Sequence, residues 1–358
     1  MKTHEKYIQR CITLAKNGLG TTYPNPMVGS VIVYKDTIIG EGWHKKAGEP
    51  HAEVNAINSV KDKSLLKKAT IYVSLEPCSH FGKTPPCCDL IIKNEIPNVV
   101  IGTVDPNIKV AGNGIKKLIE AGTNVTVGVL EAECHELNKR FFTFHEKKRP
   151  YIILKWAETQ DGFIAPEKNV RYPKTQDQDT NEKKPFWITN PYSRQLVHKW
   201  RTEEQAILVG TQTVIDDNPK LDARDWYGNN PIRLYIDQNN RAPKDSHILD
   251  NQSKTIIFSK SKTTIEKENT TFEVIDFKQN IASQIAAILY LHQVQSVIIE
   301  GGQQTLQTFI DANLWDEARI FIGNTHFTSG TKAPALTRTN FKELSIGSDK
   351  LLIIKNHD

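Results

Sequence analysis

The sequence predicts an α/β protein made of two successive layered domains. Three observations predict it. Apolar strand-like runs alternate with helix-like stretches in both halves of the chain. The alternation is broken by a basic, polar run from Lys139 to Pro150 and then restarts. The length, 358 residues, exceeds what one hydrophobic core usually serves and suits two domains, with room for a third. The boundary is placed in that run, giving domains 1–146 and 147–358.

Within residues 4–17, Ile8, Cys11, Ile12 and Ala15 share a helical spacing. Val28–Tyr34 and Thr37–Gly40 flank Lys35-Asp36 as the arms of a hairpin. Pro50 is expected to open a helix over His51–Val60, because proline suits the first helical position. Ala69–Leu75 and Asn98–Val104 read as buried strands, with helices following near 87–94 and 113–121, and Asn124–Leu130 closes the set. In the second half, Tyr151–Trp156, Gln205–Val209, Ile232–Asp237, Thr255–Phe258, Ser296–Glu300 and Ala318–Ile322 read as strands, with helices near 191–201, 279–292 and 303–313. The polar stretch 166–185 has almost nothing to bury and is expected to be a mobile surface loop. There is no internal repeat.

Charged residues are 24% and hydrophobic ones 38%, an ordinary soluble balance. A net charge of +5 is small for this length and does not ask for nucleic acid; it suits a phosphorylated small substrate equally well. No run approaches the ~18 apolar residues of a membrane span, and MKTHEKYIQR has no apolar segment of a secretion signal. A cytoplasmic protein is therefore expected, and five cysteines then read as free thiols or metal ligands rather than disulfides.

His51-Ala52-Glu53 is followed by Pro77-Cys78 and, nine residues later, by Cys87. One imidazole and two thiolates suit Zn2+, and three protein ligands leave a fourth position for water, whose pKa the ion lowers to about 7. Residues two apart do not share a helical face, so the metal belongs off the first turn of the helix, where Glu53 can shuttle a proton without ligating. Cys87 stands where a second helix should begin, and a helix N-terminus stabilises a thiolate. A structural zinc site would want a fourth tight ligand. Cys88 is read as packing, and Cys11 and Cys134 as core thiols. The usual deaminase pattern has two residues between its cysteines, whereas this chain has eight, Ser79 to Pro86. No Gly-x-Gly-x-x-Gly stands in the right context, so a Rossmann domain is not expected. Gly301-Gly302 after a strand and before a helix could admit a cofactor phosphate, or could be only a tight turn.

Four groups of residues in the first half carry a resemblance: Thr22-Tyr23-Pro24-Asn25-Pro26-Met27-Val28-Gly29, Ala47-Gly48-Glu49-Pro50-His51-Ala52-Glu53, Leu75-Glu76-Pro77-Cys78-Ser79-His80 and Gly82-Lys83-Thr84-Pro85-Pro86-Cys87. With Asp161-Gly162, Trp187-Ile188-Thr189 and Glu300-Gly301-Gly302 in the second half, the chain resembles the bifunctional deaminase–reductases of riboflavin biosynthesis. That resemblance implies a cytidine-deaminase-like α/β/α domain followed by a dihydrofolate-reductase-like α/β domain. It implies two consecutive reactions: hydrolytic loss of an exocyclic amine from a diaminopyrimidinone carrying a ribosylamino 5-phosphate, then reduction of the ribosyl group to ribityl with NADPH. His51, Cys78 and Cys87 would be the zinc ligands and Glu53 the proton shuttle, with Asn25 and His44 lining the pyrimidine pocket and Lys83 and His80 near the substrate. In the second half Lys155 would be catalytic. Arg201, Leu221, Arg224 and Glu300 would meet substrate, and Ala157, Asp161, Trp187, Thr213, Asp217, Gly301 and Gly302 the cofactor. A small polar substrate contact usual in the family is replaced here by Pro185.

Two rival readings stand beside this one. The first is a deaminase of another base with an inactive reductase-like tail, against which Lys155, Arg201, Asp217, Arg224 and Glu300 all speak. The second is a nucleic-acid-editing deaminase, which would want clustered basic residues interleaved with aromatics. Lys147-Lys148-Arg149 is the nearest such cluster and reads as a solvated linker. Nothing in the sequence fixes the number of copies, and a homo-oligomer stays open.

Overall fold

The computed structural model describes residues 2–81, 85–106, 111–167, 186–262 and 267–356. It divides into two compact units, Met1–Lys148 and Arg149–Asp358. In the first, helix α1 (Lys2–Ala15) precedes a hairpin of β1 (Gly29–Tyr34) and β2 (Thr37–Trp43). Lys35 and Asp36 both take positive φ at its turn, the conformation that matches the twist of two joined strands. There follow α2 (Ala52–Ser59), β3 (Thr70–Leu75), α3 (Cys87–Lys93), β4 (Asn98–Thr103), α4 (Asn113–Glu120), β5 (Asn124–Val127), α5 (Glu131–Leu137) and α6 (Lys139–Lys147). The sheet order is β2-β1-β3-β4-β5, with β1 antiparallel to both its neighbours and β3, β4 and β5 parallel.

Strand alternation splits the apolar residues between two cores. Ile32, Ile71, Val73, Val99 and Ile101 face Ala56, Ile57, Ile91 and Leu118 of α2, α3 and α4. Val31, Val33, Tyr72 and Val100 face Ile8, Cys11 and Ile12 of α1 and Cys134 and Leu137 of α5. The result is a three-layer α/β/α unit. Three readings of its sequence need correction. Pro50 does not begin α2, because His51 is the N-cap and the helix starts at Ala52. The last strand ends at Val127, and α5 follows it. The run from Lys139 is not a bare linker but helix α6, with Phe141, Phe142 and Phe144 buried behind its basic residues.

The second unit comprises β6 (Tyr151–Glu158), β7 (Phe163–Pro166), α7 (Pro191–Glu203), β8 (Ala206–Gly210), α8 (Thr211–Asp217), β9 (Ile232–Ile236), β10 (Thr255–Ser259) and β11 (Thr270–Val274). It continues with α9 (Ile281–Leu291), β12 (Ser296–Glu300), α10 (Gln303–Asp311), β13 (Glu317–Ile322), β14 (Gly330–Lys332), β15 (Phe341–Ile346) and β16 (Asp349–Lys355). A nine-stranded sheet runs β11-β10-β9-β8-β12-β6-β13-β16-β15, parallel as far as β13 and antiparallel beyond it. Helices α9 and α10 cover one face, burying Ile285, Leu289, Leu306 and Phe309 against Leu154, Leu208 and Ile299. Helix α7 covers the other, with Val197 and Trp200 against Ile207, Tyr235 and Phe321. Periodicity missed α8 and the strands β7, β11, β14, β15 and β16. Strand β15 is largely exposed and lacks an apolar run, and β14 is three exposed residues long. Of the stretch expected to be a loop, 168–185 lies outside the described residues, as do Lys83 and Pro185.

Asn138, at the junction of α5 and α6, is 2% exposed. Its Oδ1 accepts from the Met27 N–H and its Nδ2 donates to the Met27 carbonyl, both at 2.8 Å, closing a contact over 111 residues of sequence. Asn138→Ala strands both backbone groups and should destabilise the protein by about 2–4 kcal/mol. Urea denaturation measures this, and a loss under about 0.5 kcal/mol, typical of surface positions, would show that the clamp carries nothing.

Candidate active sites

The first site forms where three chain segments meet. As N-cap of α2, with φ −70° and ψ 169°, His51 holds its ring ahead of the helix rather than along its flank. Cys78 lies just beyond the end of β3, and Cys87 is the first residue of α3. His51 Nδ1 is 3.6 Å from Cys78 Sγ and 3.4 Å from Cys87 Sγ, and the ligand atoms of all three residues lie within 4.8 Å of one another. A tetrahedral ion with Zn–N of about 2.1 Å and Zn–S of about 2.3 Å would space nitrogen from sulfur by about 3.6 Å. The triangle therefore fits zinc. The Cys87 N–H donates to Cys78 Sγ at 3.3 Å, so the first amide of α3 favours a thiolate there.

A hydrogen bond from the Cys87 thiol, helped by His51, pulls Cys78 well down against the effect of burial. Cys87 is pushed up correspondingly, and the Cys78 contact raises His51. A metal ion takes the place of such a proton, which is why metal binding releases protons. Glu53, in the first turn of α2 and 3% exposed, is pushed up to about 7 by burial and by the charge of Cys78. A carboxyl that gains and loses its proton near neutrality suits general acid and base work. Cys88 is engaged elsewhere, its Sγ donating to the carbonyls of Pro77 at 3.2 Å and Gly114 at 3.6 Å.

Asn25 and His44 join this group. His44 Nδ1 lies 3.2 Å from the Pro50 carbonyl, which can only accept, so Nδ1 carries the hydrogen. Nε2 is then the acceptor for Asn25 Nδ2 at 3.1 Å. Burial pushes His44 down, in keeping with this neutral form, and its ring meets that of His51 edge-on at 5.2 Å. His80 is exposed. Sequence reading missed Glu76. This buried carboxylate accepts from the N–H groups of Asp105 (3.3 Å), Gly112 (3.0 Å), Gly114 (2.9 Å) and Ile115 (3.3 Å), tying the start of α4 to the segment that carries Cys78. Gly114 is required there, since a Cβ would stand 2.2 Å from the Pro77 carbonyl. An acid before Pro-Cys carries no sequence signal for such a role.

In the second unit, Glu300 at the end of β12 is in register with Lys155 of β6. Its carboxylate is 3.2 Å from Lys155 Nζ and 3.0 Å from Arg201 Nη2 of α7. Burial alone would raise Glu300, but the two cations outweigh it and hold it at about 2. A separate cradle forms beside this cluster's strand. Gly301 has φ 144°, and a Cβ there would press on Gly210, Val209 and Thr213 at 3.2–3.4 Å. The Gly302 N–H donates to Thr213 Oγ1 at 3.2 Å. The turn after β12 thus packs against the turn after β8, just ahead of α10. Leu221 is buried with φ 52°, and Arg224 pairs with Asp222 at 2.5 Å. Trp187 is half exposed, with Arg194 over its ring at 4.9 Å. Asp217 is exposed at the end of α8, and Ala157 lies on β6. Asp161 stands apart from these contacts. Its carboxylate accepts from Thr159 Oγ1 at 2.6 Å and from the N–H groups of Phe327 and Thr328, and it is held down at about 2 by those bonds.

A His/Cys/Cys triangle beside a buried glutamate, on a three-layer α/β/α sheet, defines a zinc-dependent deaminase, here joined to a reductase domain. Residues 1–103 match the cytidine and deoxycytidylate deaminase zinc-binding region, and residues 150–344 match the RibD C-terminal domain. The chain is 39% identical to the riboflavin biosynthesis protein RibD of Aquifex aeolicus, over 89% of this chain and 86% of that one. It is 38% identical to RibD of Bacillus amyloliquefaciens, over 93% and 87%. A solved diaminohydroxyphosphoribosylaminopyrimidine deaminase/5-amino-6-(5-phosphoribosylamino)uracil reductase from Thermotoga maritima superposes with a TM-score of 0.85 at 36% identity, covering 99% of both chains. The chain belongs to the RibD family, the bifunctional deaminase–reductases of riboflavin biosynthesis, and its cofactors are zinc and NADPH. The inactive-tail reading is not favoured, since the likeness runs through both halves. Among the described residues, no helix is long and apolar enough to cross a membrane.

Two measurements follow from this geometry. Purified protein should carry about one zinc per chain by elemental analysis. Cys87→Ser should lose it and Cys88→Ser keep it, and the opposite pattern overturns the ligand set. For Glu300 the folded pKa lies below the ordinary 4.5, so its contribution to stability is fully present above that value and fades as pH falls towards about 2. Glu300→Gln should therefore be less stable at pH 7 and show a shallower loss on acidification; parallel acid limbs in denaturant titrations would remove Glu300 from that account.

Proposed function

We propose that residues 1–146 deaminate a diaminopyrimidinone bearing a ribosylamino 5-phosphate, and that residues 147–358 then reduce its ribosyl group to ribityl. The observation that carries this reading is the His51–Cys78–Cys87 triangle with Glu53 beside it. The substrate pair is taken from the Thermotoga maritima relative, and the division into compact units after Lys148 supports the boundary. When bound, zinc supplies an acidified water, and NADPH supplies the reducing equivalents. His51, Cys78 and Cys87 hold the metal. Asn25 and His44 orient the pyrimidine edge: the His44 tautomer takes one Asn25 amide hydrogen and so fixes which way the amide lies, with the Asn25 carbonyl free to accept from a ring N–H. Glu53 would take one proton from the attacking water and pass it to the ring nitrogen, then take the second from the resulting hydroxyl and pass it to the departing amine.

In the reductase domain, Lys155 is the catalytic group, steadied by Glu300. Arg201, Leu221, Arg224 and Glu300 bind substrate, with the guanidinium of Arg224 suited to the phosphate. Ala157, Trp187, Thr213, Asp217, Gly301 and Gly302 line the cofactor, and Asp161 serves it by tying the turn after β6 to residues 327–328. The substrate is a small molecule rather than nucleic acid, and the enzyme works in the cytoplasm.

The two activities should fail independently. Glu53→Gln should keep its zinc, lose at least about two orders of magnitude of deamination, and still reduce supplied deaminated intermediate. Lys155→Ala should release ammonia normally without oxidising NADPH. Product masses and nicotinamide absorbance decide it: a folded Glu53→Gln protein that also fails to reduce supplied intermediate sinks the assignment of separate sites.

A further inference from the structure

Helix α7 carries His198 and Arg201 three residues apart, on one side of the helix. Both reach a single acceptor, the backbone carbonyl of Asp222, each at 3.0 Å. Since a carbonyl only accepts, the hydrogen of His198 is on Nδ1. The other ring nitrogen lies 3.1 Å from Asp225 Oδ2, a contact that becomes a bond only when a second proton charges the ring. His198 is 5% exposed, so the Nδ1 bond is made by a buried ring that has little freedom to turn away.

The loop it grips runs from the end of α8 to the start of β9 and carries Leu221 and Arg224. Asp222 is held at both ends. Its carbonyl is fixed to α7, while its carboxylate pairs with the Arg224 guanidinium, whose side chain is 47% exposed. The Ala223 N–H donates to Asn230 Oδ1 at 2.9 Å, which closes the loop beyond. Arg201 divides its guanidinium between two partners, Nη1 donating to the Asp222 carbonyl and Nη2 pairing with Glu300 and so with the charge around Lys155. The described polar contacts of His198, by contrast, all go to the loop.

We propose that His198 is a positioning residue of the reductase, holding through Asp222 the loop that presents Leu221 and Arg224 to the phosphate-bearing end of the substrate. The inference rests on the reading of those two residues as substrate contacts. Its physical basis is preorganisation. A loop fixed before binding spares the ligand the cost of ordering it, so the effect belongs in substrate affinity and not in the chemical step or the cofactor site.

The experiment uses the full chain, with the deaminated phosphoribosyl intermediate and NADPH varied separately. His198→Leu should raise KM for the intermediate roughly fivefold or more, the scale of one lost buried hydrogen bond, with kcat and the KM for NADPH within about twofold. His198→Asn keeps a donor near the Nδ1 position and should restore KM. His198→Gln places its amide near Nε2 and should not. Asp225→Ala, which removes only the partner of Nε2, should stay near wild type. If His198→Leu does not fold, the Asn and Gln variants decide alone, and equal KM values for those two would overturn the proposal. Arg224→Ala separates the two levels of inference. An unchanged KM there refutes the reading of Arg224, and with it this one. A raised KM in Arg224→Ala with an unchanged KM in His198→Leu refutes the role of His198 only.

Discussion

Three proposed ligands for one ion come from three segments and must be held at about the spacing the ion needs. Much of the first unit can be understood from that constraint. His51 caps one helix, Cys87 begins another, and Cys78 follows a strand, β3, that ends level with its parallel neighbour β4. Each of these positions is a place where the backbone changes course, so each side chain leaves its element in a direction that no regular repeat would give. The surrounding polar contacts fix those positions. Glu76 gathers four backbone amides next to Cys78, and Asn138 grips Met27 two residues beyond Asn25. The bond from the Pro50 carbonyl sets the tautomer of His44. A buried polar group is costly when unpaired, and pairing it to backbone turns that cost into rigidity at the site.

The second unit solves a related problem with charge. Glu300 sits buried between Lys155 and Arg201, and an anion so placed is tolerable only because two cations face it. The same pairing keeps Lys155 at a defined place on the strand. The turn after β12 uses a different device. Gly301 packs where a Cβ would crowd Val209, Gly210 and Thr213, and Thr213 of α8 secures the turn by accepting from the Gly302 N–H.

Local pattern carried the central elements because their burial is one-sided or complete. The apolar runs of β1, β3, β4, β8 and β12 are what strands between helical layers require. It failed where tertiary contact, rather than local pattern, makes the element. Helix α6 reads as a basic linker because its charged residues outnumber the aromatics that anchor it. Strand β15 is the sheet's edge strand and has little to bury, so it forms by pairing with β16.

The sequence by itself determined the two-part α/β plan and singled out His51, Cys78 and Cys87, the residues whose ligand atoms the fold brings together, apart from the neighbouring Cys88. Those conclusions follow from residue types whose chemistry is fixed and from spacings set by the chain. Only the tertiary structure decided that Glu76 and Asn138 hold the deaminase site, that Asp161 ties a turn to residues 327–328, and that His198 grips the Arg224 loop. The physical reason is common to all four. Each role is made by hydrogen bonds to backbone groups distant in sequence, and a backbone amide or carbonyl has no residue type by which a sequence could announce it.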